Sequence, residues 1–143
     1  MITLLDINVL IALADSGHPH HAPANRFFPQ VQSTGWATCP ITENGFLRIV
    51  GRLEGDLASN SPTVTRILLR GVLAKSGHQF WPDDVSLMDA RLFPSLPKSK
   101  ALTELYLLGL AVKHGGRFAT FDENIDASLV PGGSAAFHLI SAA

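Results

Sequence analysis

The chain has 143 residues, 46% of them apolar, and sets 11 Lys plus Arg against 12 Asp plus Glu for a formal net charge of −1. That balance excludes a disordered polyelectrolyte and a globally basic nucleic-acid binder, though not a local basic rim. The lone Cys39 excludes an intramolecular disulfide, and no Cys and His spacing of zinc type accompanies it.

The length fits one domain over 1–143 with a core burying roughly two thirds of the unfolded surface. The opening lacks the basic region, long apolar stretch and cleavage site of a secretory signal, and Asp6 and Asn8 spoil a membrane-spanning reading. A soluble chain in a reducing cytoplasm is expected, with no membrane association.

Ile2 to Leu5 is a continuous apolar run that predicts a strand, and Asn8 to Ala14 predicts a helix after a tight junction at Asp6. A second helix is expected from about His21 to Phe28, stopped by Pro29. GWATC reads as a strand, and Pro40 opens a helix through ITENGFLRIVGR. PTVTRILLRGVLAKSG predicts another helix, with Ser61 or Asn60 as its cap and Gly77 after its end. HQFWP is a short strand, and the stretch from Asp83 to Ser99 is undetermined apart from Asp83 and Asp84, which read as a helix start. KALTELYLLGLAVKHGG has the length of a helix, RFATF and AFHLI are further strands, and Gly115 is a stop. Short apolar strands alternating with helices predict an α/β fold with a central, mainly parallel sheet flanked by helices.

In such a sheet ligands gather beyond the carboxyl ends of the strands, and that is where the acids fall. Asp6 follows the first strand, Asp122 follows RFATF, and Glu43 and Glu104 stand in the first turns of their helices. Glu104 also begins an apolar face, since Leu107, Leu108 and Ala111 follow at helical spacing. Helix capping accounts for any one of these acids alone. Grouped, two carboxylates about 4 Å apart repel by about 4 kcal/mol at an effective dielectric near 20. A hard divalent cation relieves that, and an all-oxygen set suits Mg²⁺ or Mn²⁺ better than zinc. Asn8, Thr103 and Thr120 are candidates for supporting hydrogen bonds, and Asp126 for a further metal or water contact. His18, His20 and His21 form a patch read as a loop or partner contact, while Cys39, Trp36, Phe46 and Trp81 read as packing.

The ordered set LLDINVLIAL, ITENGFLRIV, LTELYLLGLA and RFATFDENI resembles the PIN domain of VapC-type toxins from toxin–antitoxin systems. The resemblance spans nearly the whole chain and assigns Asp6, Glu43, Glu104 and Asp122 as the acidic catalytic and metal-holding set, with Asn8 beside Asp6. The third acid is usually an aspartate in that family, and here it is Glu104, one methylene longer. It further implies an Mg²⁺-dependent endoribonuclease, often dimeric, that cuts RNA such as tRNA or rRNA and is restrained by a cognate VapB-type antitoxin. Arg48, Arg52, Lys98, Lys100, Lys113 and Arg117 are candidate RNA contacts around an otherwise repulsive acidic edge. Two other readings stand beside this one: a noncatalytic RNA-binding or antitoxin-binding module, and an aspartyl-phosphate hydrolase using Asp6.

Overall fold

The computed structural model describes residues 1–52 and 61–143. Among these residues five strands, β1 (Thr3–Leu5), β2 (Trp36–Thr38), β3 (His78–Phe80), β4 (Arg117–Thr120) and β5 (Phe137–Leu139), form a sheet in the order β3-β2-β1-β4-β5. All four pairings are parallel, with Thr3 opposite both Trp36 and Arg117, and Trp36 opposite His78. The helices are α1 (Ile7–Ala14), α2 (His21–Thr34), α3 (Pro40–Val50), α4 (Pro62–Leu73), α5 (Leu102–Lys113) and α6 (Gly133–Ala136). The α/β architecture expected from the strand and helix alternation is the one observed.

Strand alternation divides the core into two layers. Leu4, Ala37 and Phe118 face α5, where Leu105, Leu107 and Leu108 are buried. Leu5, Trp36 and Ala119 face the opposite way, against Val9 and Leu10 of α1, Phe27, Phe28 and Val31 of α2, Phe46 of α3 and Leu69 of α4. Both faces of the central strands are covered, which is why they read as unbroken apolar runs. No helix among the described residues is long and apolar enough to cross a membrane.

Two boundaries differ from the sequence reading. Pro29 does not stop α2, which runs on to Thr34 and ends at Gly35, where φ is +105°. A proline inside a helix costs about 3 kcal/mol. Continuing the helix buries Val31 on the face already made by Ala24, Phe27 and Phe28, and a buried valine side chain is worth roughly 1.5–3 kcal/mol. Pro29 itself is exposed, so its ring meets no packed neighbour layer.

Asp83 and Asp84 start no helix. The segment after β3 is irregular and is anchored by single large side chains, Trp81 stacked on the His114 ring with centroids 4.3 Å apart and Phe93 packed on Gly109 of α5. Asp84 lies 3.0 Å from His114 Nε2, which holds its carboxyl below the usual carboxylate range and ties the segment to the end of α5. Ser61 caps α4 by accepting from the Thr63 amide at 3.1 Å, while Asn60 lies outside the described residues.

Candidate active site

The strand order reverses between β1 and β4, and the crevice beyond the carboxyl ends of such a pair is where an open α/β sheet presents chemistry. Asp6 stands there, directly after β1, as the N-cap of α1. Its Oδ1 accepts from the Ile7 amide at 2.7 Å and its Oδ2 from the Thr120 hydroxyl at 2.6 Å. Only 4% of Asp6 is exposed. Burial pushes its carboxyl up from 3.8 to about 6 against the pull of these two hydrogen bonds, and the negative charges of Glu104 and Asp122 push the same way. The aspartate in the apolar opening run is thus turned inward, beside other acids.

Thr120, the last residue of β4, joins the edge into one network. Its single proton goes to Asp6, while Oγ1 accepts from Asn8 Nδ2 at 3.2 Å and from the Asp122 amide at 3.0 Å. Asn8 Oδ1 in turn accepts from the Phe121 amide at 3.4 Å. Asn8 and Thr120 therefore hold the β4 end against the start of α1, and with it the segment that carries Asp122. The Asp122 carboxylate closes a local turn by accepting from the Asn124 amide at 2.9 Å.

Glu104 reaches this edge from the first turn of α5, and its Oε2 is buried without a hydrogen-bond partner among the described residues. An unpaired buried carboxylate oxygen costs several kcal/mol, so its position beside Asp6 calls for a cation or a donor. Its neighbour Thr103 is exposed and lines the cleft between α1, α3 and α5.

Glu43 approaches from the other layer. Its Oε2 accepts from the Thr38 hydroxyl at 2.8 Å, and Thr38 Oγ1 lies 2.8 Å from His78 Nε2. Thr38 shares the Trp36 face of the sheet, whereas alternation from Leu4 puts Asp6 on the α5 face. Glu104 and Asp122 are each within electrostatic reach of Asp6, with Glu43 across the strand ends at Thr38. Among the described residues no three His, Cys, Asp or Glu side chains stand close enough together to hold a metal ion by themselves.

Of the remaining candidates, Asp126 is exposed and spent on a local turn, accepting from the Ser128 amide and hydroxyl. Arg48 is exposed on α3 and, with Asn44 and Thr103, lines a cleft of about 440 Å³ floored by Ile7, Pro40 and Ile41. Arg52, Lys98 and Lys100 are exposed, the first beyond the end of α3 and the other two ahead of α5. Lys113 and Arg117 sit at the opposite end of the sheet from Asp6. Lys113 Nζ donates to the Asp84 carbonyl at 3.3 Å, and Arg117 Nε donates to Thr3 Oγ1 at 2.8 Å with its guanidinium over the Phe27 ring.

Cys39 is fully buried with its thiol pushed up to about 11, chiefly by burial, which makes it the packing residue expected from its surroundings. Two histidines gained neighbours that the sequence did not signal. His20 lies against the Phe121 ring at 4.4 Å, and His78 meets Thr38. The register that puts His78 beside Trp36 is a property of strand pairing, and no local pattern in HQFWP encodes it.

No family model matches the chain. Among curated proteins it is 43% identical over 124 residues to Ribonuclease VapC39 of Mycobacterium tuberculosis, covering 85% of this chain and 89% of that relative. It is 38% identical over 134 residues to Ribonuclease VapC44 of the same organism, covering 92% and 94%. The chain belongs to the VapC family of PIN-domain ribonuclease toxins. The VapC fold is matched in a solved structure of VapBC2 from Rickettsia felis bound to a DNA fragment from their promoter, at a TM-score of 0.60 and 13% identity over 85% of this chain and 89% of that one.

The donor set of this VapC chain fits a hard divalent ion. Oxygen ligands only, one buried carboxylate oxygen lacking a donor and one carboxyl raised by burial and by its acidic neighbours are all relieved by local positive charge.

Proposed function

We propose that this chain is the toxin of a VapB-type toxin–antitoxin pair, an Mg²⁺-dependent endoribonuclease that hydrolyses phosphodiester bonds in RNA such as tRNA or rRNA. The observation that carries the reading is the buried Glu104 Oε2, unpartnered beside Asp6 at the β1–β4 switch point, in a chain 43% identical to a protein named as a ribonuclease. Asp6, Glu43, Glu104 and Asp122 would hold the ion, directly or through waters, with Glu43 reaching it from the α3 side. Bound there, Mg²⁺ supplies charge neutralisation at the phosphate and lowers the pKa of water at the site.

The protein's own part is orientation. Thr120 and the Ile7 amide fix both oxygens of Asp6, and Asn8 fixes Thr120, so the carboxylate is set before substrate arrives. With a carboxyl near 6, Asp6 is ionised at neutral pH. The cleft lined by Asn44, Arg48 and Thr103 runs up to Ile7 and takes the strand beside the scissile bond, its arginine meeting a phosphate. A homodimer and a VapB-type antitoxin are the proposed protein partners.

The test is cleavage of total RNA by purified, antitoxin-free protein. Discrete scission is expected with Mg²⁺ and none with EDTA or in Asp6→Asn, while Glu104→Gln should raise the Mg²⁺ midpoint by roughly 10-fold or more. Equal cutting by Asp6→Asn overturns the mechanism. RNA binding without cutting in Mg²⁺ would favour a noncatalytic module, and a phosphoenzyme trapped at Asp6 would favour the aspartyl-phosphate reading.

A further inference from the structure

Two threonines end the strands on either side of β1, each fully buried and each giving its hydroxyl proton to one acid. Thr120 donates to Asp6 at 2.6 Å and Thr38 donates to Glu43 at 2.8 Å. A hydroxyl has one proton and two lone pairs, so the direction of that proton is settled by whatever donates to the lone pairs. At Thr120 the donors are Asn8 Nδ2 and the Asp122 amide. At Thr38 the recorded partner is His78 Nε2, 2.8 Å away.

Glu43 as a carboxylate accepts only, so Thr38 must donate to it, and the His78 nitrogen facing Thr38 must then carry a proton. The chain of hydrogen bonds therefore runs one way, from His78 Nε2–H to Thr38 Oγ1–H to Glu43 Oε2. His78 is fixed for this task by the fold. It is paired with Trp36 across β2 and β3, and its ring packs against the indole with centroids 4.7 Å apart. Burial holds its pKa below the ordinary value, which keeps the ring neutral and leaves one proton to place, while the charge of Glu43 pulls the other way.

We propose that His78 is a positioning residue for Glu43: from the edge strand it orients the Thr38 hydroxyl toward the Glu43 carboxylate, as Asn8 orients Thr120 toward Asp6. The inference rests on the nuclease reading for its consequence, but not for its geometry. A ring on β3, linked to the acid by hydrogen bonds through Thr38, thereby sets one of the four acids. Strand pairing brings it there from 35 residues further along the chain than Glu43. Partners of this kind to a metal-holding acid are commonly worth 10–100-fold in metal affinity or activity.

Three variants separate positioning from packing. His78→Phe keeps a ring on Trp36 and loses the donor, His78→Gln keeps a donor and loses the ring, and Thr38→Val removes the relay. With ¹⁵N-histidine NMR of the full chain, His78 should be neutral and protonated at Nε2. In Mg²⁺ titrations followed by calorimetry, His78→Phe and Thr38→Val should weaken binding about 10-fold, with kcat for RNA cleavage falling similarly and KM unchanged. His78→Gln should recover most of both, and His78→Phe should add nothing in a Glu43→Gln background. A proton on Nδ1 rather than Nε2, or His78→Phe with wild-type Mg²⁺ affinity and kcat, overturns the proposal. If the wild type cuts no RNA, the nuclease reading falls on its own. The ¹⁵N spectrum then decides the relay alone, Nε2–H supporting it and Nδ1–H refuting it.

Discussion

Asp6 carries two demands in conflict, a buried place in the fold and a negative charge for the site. Its folded pKa of about 6 lies above the ordinary 3.8, so without metal the folded state holds the proton more tightly than the unfolded one. The contribution of neutral Asp6 is therefore complete below about pH 4 and is lost as the pH rises through about 6. Asp6→Asn has one oxygen to accept from either the Ile7 amide or the Thr120 hydroxyl, a loss that does not change with pH, and no charge to desolvate. In EDTA the variant should therefore gain about 1–3 kcal/mol on the wild type between pH 4 and pH 7. Urea unfolding at both pH values checks this, and a difference of the same size at both would show that the charge was not the cause. The same substitution should abolish cleavage in the assay above, so at pH 7 stability and activity are expected to respond to it independently.

At the level of elements, the site depends on how closely α3 approaches the start of α1. Gly45 makes this contact: a Cβ there would collide with Cδ1 and Cγ1 of Ile7, whose amide donates to the Asp6 cap. Alanine in a helix gains about 1 kcal/mol over glycine, but overpacking of this order costs about 1–3 kcal/mol. Gly45→Ala should therefore destabilise the chain, and in an Ile7→Ala background the same change should become stabilising by about 1 kcal/mol. Thermal unfolding of the four proteins in the cycle tests that reversal of sign. The same scale explains what the sequence disclosed. Strand-then-acid junctions at Asp6 and Asp122 and the misplaced Glu104 were legible, because apolar runs, caps and helical spacing are local. Pro29 reads as a stop because its penalty is local, whereas the burial of Val31 that offsets it depends on the sheet beneath. Asp83 and Asp84 misled for a similar reason, as acids that read as helix caps but belong to a segment held by Trp81 and Phe93. The partners of Glu43 were illegible, because Thr38 and His78 meet only through strand register.

Across the whole molecule the net charge of −1 conceals an asymmetry that bears on substrate binding. The carboxyl ends of the strands gather Asp6, Glu43, Glu104 and Asp122, an edge that repels a polyanion. Arg48 faces the adjoining cleft, and Lys98 and Lys100 are exposed just ahead of the helix that carries Glu104. Lys113 and Arg117 are at the far end and already engaged with Asp84 and Thr3. RNA held by the near group alone should release about 0.7 counterion per phosphate contact for single strands. Binding measured in EDTA over a range of salt should then give a log–log slope that shrinks by about 0.7 in Arg48→Gln and by about 2 when Lys98 and Lys100 are also neutralised. Lys113→Gln should leave both slope and affinity unchanged, since its charge lies on the wrong side of the sheet. A fall in slope of similar size for Lys113→Gln would mean that RNA crosses the amino-terminal ends of the strands. The acidic edge would then not be where the substrate is cut.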